Sequence, residues 1–465
     1  MRAQRAVRAI AAALALLGLA GCSLETARPP TVLLVVLDTV RRDRVQPCGE
    51  PRPTTPTLQI LAELGTTFCN MVAPGSWTLP VHASIFSGRL PTAHGADFAP
   101  DGAPVPGLAL ESVSALPEHL PTLAERFREA GYQTVLVSGN PVLHPSIGLA
   151  RGFDEVEVAP EFGVGTGADV LPALERILTS GSLDPTRPLF LFVNIAHAHG
   201  PFEPVPETID WLPATGRVVD LFHPQPESLF WKFHTGQMTR DEEERFLDEL
   251  RSVYDWGVRL ADHELGRVAQ ALVHEAWLDD DSIVAVTSDH GEFLGEHRLL
   301  DHGRSVAREN IDAFAVILGP GFRRGARSDA LAQSQDLYPT LLSAAGLPVE
   351  PALPWARPLG EVSGDRVAVT LSEPDDFWQK HSEGRVGGRR HVAVQRDERR
   401  VVWSDGGVLI GEVVAGVAPS QRASAVDPEL AALAREIASR EVSRSPVEPL
   451  PEEVREGLRA LGYGD

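Results

Sequence analysis

Two apolar runs far apart in the chain each end in an acidic residue. Val32-Leu33-Leu34-Val35-Val36-Leu37 closes with Asp38-Thr39, and Val284-Ala285-Val286-Thr287 closes with Ser288-Asp289-His290-Gly291-Glu292. Between them, Ser76-Trp77-Thr78-Leu79-Pro80-Val81-His82-Ala83-Ser84 sets a hydroxyl ahead of a helical pattern. In α/β proteins ligands bind beyond the carboxyl ends of the strands. A carboxylate there can hold a divalent cation, and a hydroxyl at a helix start can attack an anionic ester. Taken singly, Asp38 reads as a helix cap or turn residue, Thr78 as a turn or cap hydroxyl, and Asp289-His290-Gly291 as a turn.

The elements that would carry these residues alternate between strand and helix patterns. The run over residues 32–37 is continuous and rich in valine and leucine, as a buried parallel strand requires. Thr122-Leu123-Ala124-Glu125 is a capping box, with Leu123, Phe127 and Ala130 at helical spacing and Gly131 as a stop. Further strands are expected over residues 134–137, 188–195, 283–288 and 313–318, and the helix after Thr78 from about Val81. This rhythm predicts an α/β fold with a mostly parallel central sheet and helices on both faces. Residues 203–250, with Trp211, Phe222, Phe230, Trp231 and Phe233 among many charges, read as an insertion over the site or as a peripheral helical excursion. Short strands over residues 391–395, 401–404 and 408–413 predict a small antiparallel sheet within a C-terminal subdomain, residues 361–465, that ends in acidic helical segments.

Hydrophobic content of 43% over 465 residues is enough for a sizeable core. A net charge of −22 with no basic tract excludes nucleic-acid binding. An anionic substrate must then be drawn in by a local positive site, for which a metal is the simplest source. Arg2, Arg5 and Arg8 precede an apolar stretch over residues 9–20, too short to span a bilayer and suited to a signal peptide over residues 1–21. Leu19-Ala20-Gly21-Cys22 resembles the bacterial lipobox; a plain cleaved signal is the alternative. By that resemblance Cys22 carries a lipid, residues 22–30 form a tether, and Ser23 directs the protein to the outer membrane, on its periplasmic face or at the cell surface. Cys48 and Cys69 are left either as a disulfide or as two buried thiols.

Across residues 31–350 the chain resembles the sulfatase family of the alkaline phosphatase superfamily. The likeness rests on Leu37-Asp38-Thr39 with Arg42-Asp43, and on Thr78-Leu79-Pro80-Val81-His82 with Ser87-Gly88-Arg89 and Thr92-Ala93-His94-Gly95. It continues through Ala198-His199-Gly200-Pro201-Phe202, Ser288-Asp289-His290-Gly291-Glu292, Gly295-Glu296-His297, Asp301-His302-Gly303, and Asp336-Leu337-Tyr338-Pro339-Thr340. The resemblance implies an alkaline-phosphatase-like catalytic domain over residues 31–360. It implies one divalent metal held by Asp38, Thr78, Asp289 and His290, with zinc or manganese preferred over calcium because an imidazole joins the oxygens. It makes Thr78 the nucleophile, His199 and His302 donors and general acids, and His82, Asn140 and His297 substrate contacts. His94 and His197 fit structural roles.

Two departures bear on the chemistry. Formylglycine sulfatases build their aldehyde from cysteine or serine in Cys-x-Pro-x-Arg; here Thr78 and His82 stand in those places, so no formylglycine is expected. The family's Gly-Lys-Trp-His lysine is replaced by Asn140 in Ser138-Gly139-Asn140-Pro141. The expected function is metal-dependent hydrolysis of a sulfate or phosphate ester, with a lean toward phosphorus. The alternatives are a phosphoryl transferase and a catalytically silent binding lipoprotein on the same scaffold.

Overall fold

The computed structural model describes residues 29–98, 113–159, 169–219, 221, 228–351, 353–361, 366–374, 389–414, 421–423, 425–440 and 445. The expected signal peptide, Cys22, most of the expected tether, Phe222 and nearly all of the chain beyond Arg440 lie outside the described residues. Five parallel strands form the heart of the main sheet: β1 (Val32–Leu37), β3 (Gln133–Ser138), β4 (Glu155–Val158), β5 (Leu189–Ile195) and β6 (Ile283–Thr287). Their spatial order is β6-β1-β5-β3-β4. Beyond β6 the sheet continues through β9 (Asp312–Leu318), which is antiparallel to it, to β2 (Thr66–Val72). The short strands β10 (Ala326–Ser328) and β11 (Ala332–Gln333) run parallel to β2. The two-stranded β7 (Phe293–Leu294) and β8 (Leu300–Asp301) follow β6 in the chain.

β1 explains the layering. Its six residues are all buried and alternate between two cores. Val32, Leu34 and Val36 face a core built with α2 (Thr78–Ser87), α3 (Leu123–Glu129) and α6 (Leu337–Ala344). Leu33, Val35 and Leu37 face one built with α1 (Pro56–Leu64), α4 (Leu171–Thr179) and α5 (Arg240–His274). A strand buried on both faces needs apolar residues at every position, which is why its sequence shows no alternation. The Thr122–Glu125 capping box is formed at α3, as the sequence indicates. A separate five-stranded antiparallel sheet joins β12 (Val367–Ser372), β13 (His391–Arg396), β14 (Arg399–Ser404), β15 (Val408–Val413) and β16 (Gln421–Arg422), and α7 (Pro428–Ala438) packs on it.

Two details differ from the sequence reading, and one alternative that it left open is decided. The helix after the Thr78 segment starts at Thr78, not near Val81, because Pro80 sits in the first turn where its missing N–H is not needed. Residues 240–250, read as insertion, are the first turns of the 35-residue α5, whose later turns pack on the sheet. Cys48 and Cys69 form a disulfide.

Candidate active site

Strand register brings the site together. Val36 of β1 lies opposite Asn194 of β5 and Thr287 of β6, and Asn194 lies opposite Ser138 of β3. Side chains two residues apart share a face. Asp38, Asp289 and Asn140, each two residues past these positions, therefore emerge beside Asn194 at the carboxyl end of the sheet. The start of α2 covers the same end and supplies Thr78.

Each carboxylate has one oxygen tied and one bare. Asp38 Oδ2 accepts from Asn140 Nδ2 at 2.7 Å and Asn194 Nδ2 at 2.9 Å. Asp289 Oδ1 accepts from the backbone N–H of Thr39 at 3.0 Å and of His290 at 2.8 Å. Asp38 Oδ1 and Asp289 Oδ2 are buried and accept no hydrogen bond among the described residues. His290 Nδ1 donates to the Gly291 carbonyl at 3.0 Å, which leaves a lone pair on Nε2. That nitrogen lies 3.3 Å from Asp289 Oδ2 and 3.5 Å from Thr78 Oγ1. Electron-rich atoms converge beside the Thr78 hydroxyl. Two fully buried carboxylates cost heavily without a counter-charge. Burial, then the Asp38 charge, pushes Asp289 well above the usual carboxylate range. Burial also raises Asp38, but His199, His290, His82 and the Asn140 amide outweigh it and hold that group below its ordinary value. A divalent cation satisfies this donor set, and Asp38, Asp289 and His290 lie close enough to share one.

The imidazoles divide by environment. Burial and the neighbouring His302 drive His199 down to about 4, and its Nδ1 donates to the Gly200 carbonyl at 2.7 Å. His199 is therefore neutral, with a lone pair on Nε2. Burial works against His302 too, but Asp301 and Glu292 outweigh it and raise its pKa well above the ordinary value. The His302 ring lies 5.1 Å from His199 and 4.5 Å from His290, centroid to centroid. The two rings thus sit in opposite surroundings: His302 beside two carboxylates, His199 against a backbone carbonyl.

Asn140 reaches Thr78 Oγ1 at 3.2 Å, and its Oδ1 accepts from Val142 N, which fixes the amide's orientation. Its amide group thus bonds the hydroxyl and Asp38, where the sequence reading gave it to substrate. His82 is buried one turn along α2. Its Nδ1 sits 2.9 Å from the Thr78 carbonyl and its Nε2 3.4 Å from Asn194 Nδ2. With both nitrogens engaged and burial lowering its pKa, it packs beneath the Thr78 segment, where the sequence reading gave it to substrate. His297 also stands apart from the cluster: its side chain is 56% exposed and paired with Glu309. His94 is buried against Ser84 and the Ala96 N–H, a structural role.

Several residues of the site went unassigned in the sequence. Asn194 is the lone polar residue in the otherwise apolar β5, a signal that was open to reading. Tyr254 of α5 donates to the Thr39 carbonyl at 2.7 Å and accepts from Arg41 N at 2.8 Å. It thereby holds Thr39 at φ 57°, a costly conformation for a β-branched residue, so that the Thr39 N–H meets Asp289. Asn310 donates to the Ser76 carbonyl at 2.7 Å while its own backbone carbonyl accepts from Gly291 N, linking the Thr78 segment to the His290 turn.

The sulfatase family model matches residues 30–347. A Δ4,5-hexuronate-2-O-sulfatase of Bacteroides thetaiotaomicron is 23% identical over 72% of this chain and 72% of its own. A choline-sulfatase of Rhizobium meliloti is 22% identical over 71% of this chain and 70% of its own. Among solved structures, the phosphonate monoester hydrolase of Silicibacter pomeroyi superposes with a TM-score of 0.63 at 20% identity, covering 88% of this chain and 94% of that one. The chain belongs to the sulfatase family and is an ester hydrolase.

Proposed function

We propose that the protein hydrolyses singly charged esters, a sulfate monoester or a phosphodiester-like phosphorus ester, with Thr78 as nucleophile at a single divalent cation. The observation that carries this reading is the convergence of Thr78 Oγ1, His290 Nε2 and the two bare carboxylate oxygens of Asp38 and Asp289. Those four residues would hold the cation, which when bound lowers the pKa of a coordinated hydroxyl and offsets the charge of the anion. Imidazole among the ligands suits zinc or manganese better than calcium.

The chain's own groups then have distinct tasks. Thr78, its hydroxyl proton already lost to solvent, attacks sulfur or phosphorus through Oγ1 as the bond to the leaving oxygen breaks, and leaves as the same alkoxide when water clears the ester. Asn140 donates to Oγ1 and steadies the developing negative charge. The first N–H groups of α2, which have no intrahelical acceptor, face the anion. His302 gives its Nε2 proton to the leaving oxygen, and His199, neutral, takes a proton from the water that clears the Thr78 ester. Two imidazoles whose environments drive their pKa values apart suit these opposite roles.

Charge supports a singly charged group. Thr78 and His82 replace the cysteine and arginine of the formylglycine motif, Asn140 replaces the lysine of the family's Gly-Lys-Trp-His, and burial lowers the His82 pKa. Two cations are thus absent, and His302 remains as the cationic imidazole of the site. A sulfate monoester, a phosphodiester and a phosphonate monoester each bring one charge, whereas a phosphate monoester brings two. The sulfate substrates in the names of the curated relatives and the phosphonate ester of the structural neighbour both fall in the singly charged class. We also read Cys22 as a lipid anchor for the exported protein, on the lipobox-like tetrapeptide.

The test is a side-by-side assay of aryl sulfate, phosphodiester, phosphonate monoester and phosphate monoester with zinc, manganese and calcium. The expected result is turnover of a singly charged ester with the phosphate monoester slowest. A preference for the phosphate monoester overturns the charge argument.

A further inference from the structure

Two carboxylates outside the cation cluster converge on one nitrogen of His302. Asp301 Oδ1 lies 3.0 Å from His302 Nδ1, and Glu292 Oε2 lies 3.3 Å from the same atom. Both acids are buried. They come from different segments: Glu292 follows the His290 turn, whereas Asp301 ends β8. Asp301 is held in turn by Arg304, whose Nη2 lies 2.6 Å from Oδ2. The Arg304 guanidinium sits over the Phe230 ring at 5.8 Å, so the short helix Leu229–His234 backs the arrangement. Asp301 also takes a left-handed backbone, φ 66°, which a non-glycine residue adopts at a cost. Strain of this kind persists where surrounding contacts enforce it, and it gathers at functional sites. Here it turns the Asp301 side chain back onto the ring of its own neighbour.

We infer that Asp301 and Glu292 are positioning residues for the reaction, a two-carboxylate clamp that holds the His302 ring by Nδ1 and presents Nε2 to the leaving oxygen. The inference rests on the reaction proposed above. With Nδ1 committed, the ring has a single free donor and a fixed orientation. Arg304 keeps Asp301 in place, and the packing of Leu229–His234 ties the clamp to a part of the chain that differs in character from the sheet core. Neither carboxylate needs to touch substrate.

The test uses the full chain with Asp301→Asn and Glu292→Gln, which keep size and, at position 301, tolerate the left-handed backbone. Turnover is measured on the 4-nitrophenyl and the unsubstituted phenyl ester of whichever acid group the wild type hydrolyses. A positioned acid matters most when the leaving group is poor. Each variant is expected to lose roughly 30-fold in kcat on the phenyl ester and about threefold on the 4-nitrophenyl ester, with KM little changed. His302→Ala should show the same pattern, and the Asp301→Asn/His302→Ala double variant should be no slower than His302→Ala alone. Equal losses on both esters, or losses that multiply in the double variant, overturn the clamp. A wild type inactive on every ester overturns the reaction but leaves the clamp open to a second readout. In ¹⁵N-histidine-labelled protein the Nδ1–H proton of His302 is expected far downfield, and it should shift upfield in both variants. An unchanged resonance overturns the clamp on its own.

Discussion

Each imidazole in the site has its Nδ1 committed, and what holds it decides what the ring can do. His290 and His199 donate to neighbouring carbonyls and burial lowers both, His82 bonds the Thr78 carbonyl, and His302 meets two carboxylates that raise it. Asn194 joins two of these circuits through one amide, which reaches both Asp38 Oδ2 and His82 Nε2. Asn194→Ala should leave Asp38 with a single donor and His82 Nε2 bare. The expected result is a loss of about 1–3 kcal/mol in stability from unpaired buried groups. A fall of roughly 10- to 100-fold in zinc or manganese affinity should accompany it, because residues that orient ligands matter nearly as much as the ligands. Thermal melts and metal titration of the same preparations check both. An unchanged metal affinity removes Asn194 from the account. At this scale Asp38, Thr78, Asp289, His290, His199 and His302 were legible because they fall on motif positions. The roles of His82 and Asn140 were not, because hydrogen-bond direction is fixed by neighbours from other strands.

At the scale of elements, α5 sets the back of the site. It approaches the segment after β5 so closely that a Cβ on Gly257 would lie 2.5 Å from the His197 carbonyl oxygen and 3.2 Å from Ala198 Cα. Both contacts are backbone, so neither yields by rotation. Gly257→Ala should push helix and loop apart and displace His199. The expected outcome is a fall in kcat/KM of about 10- to 100-fold, since small misplacements of catalytic groups are costly. Steady-state kinetics check it, and unaltered kinetics contradict the positioning role of α5.

The same helix caps α1: Asp262 accepts from the backbone N–H of Thr57 at 2.9 Å and of Leu58 at 2.8 Å. Burial raises this carboxyl to about 6, although those N–H groups pull it down. A folded-state value above the unfolded one means that the native protein binds the proton more tightly. The Asp262 contribution is therefore fully present below about pH 4 and is lost as pH rises through about 6. That amounts to on the order of 2–3 kcal/mol. Asp262→Asn places an amide donor where one N–H needs an acceptor, so the variant should melt lower at acid pH. Its deficit should narrow between pH 5 and pH 7, because asparagine does not ionise. A deficit that widens over that range contradicts the assignment. α5 was half hidden in the sequence because its charged first turns look like an excursion, and only the packing of its later turns shows the continuity.

For the whole molecule, the strand-by-strand pattern made the central sheet readable, because strands buried on both faces are written as unbroken apolar runs. The antiparallel direction of β9 was not readable: direction within a sheet depends on how the chain returns, and residues 312–318 look the same either way. The Cys48–Cys69 link joins two segments on either side of α1, and whether two cysteines can bond depends on their distance in space, not their spacing in sequence. The site depends on this larger order. Segments from β1, β3, β5, β6 and the start of α2 meet at one end of one sheet, and no stretch of chain holds more than a part of it. The most direct test of the central claim is an acid quench during turnover, followed by peptide mapping with mass spectrometry. A sulfuryl or phosphoryl group is expected on Thr78. In Thr78→Ala no adduct is expected, and a loss of turnover of roughly 10³-fold or more with the melting temperature preserved. An adduct on another residue, or sustained turnover in Thr78→Ala, contradicts the claim.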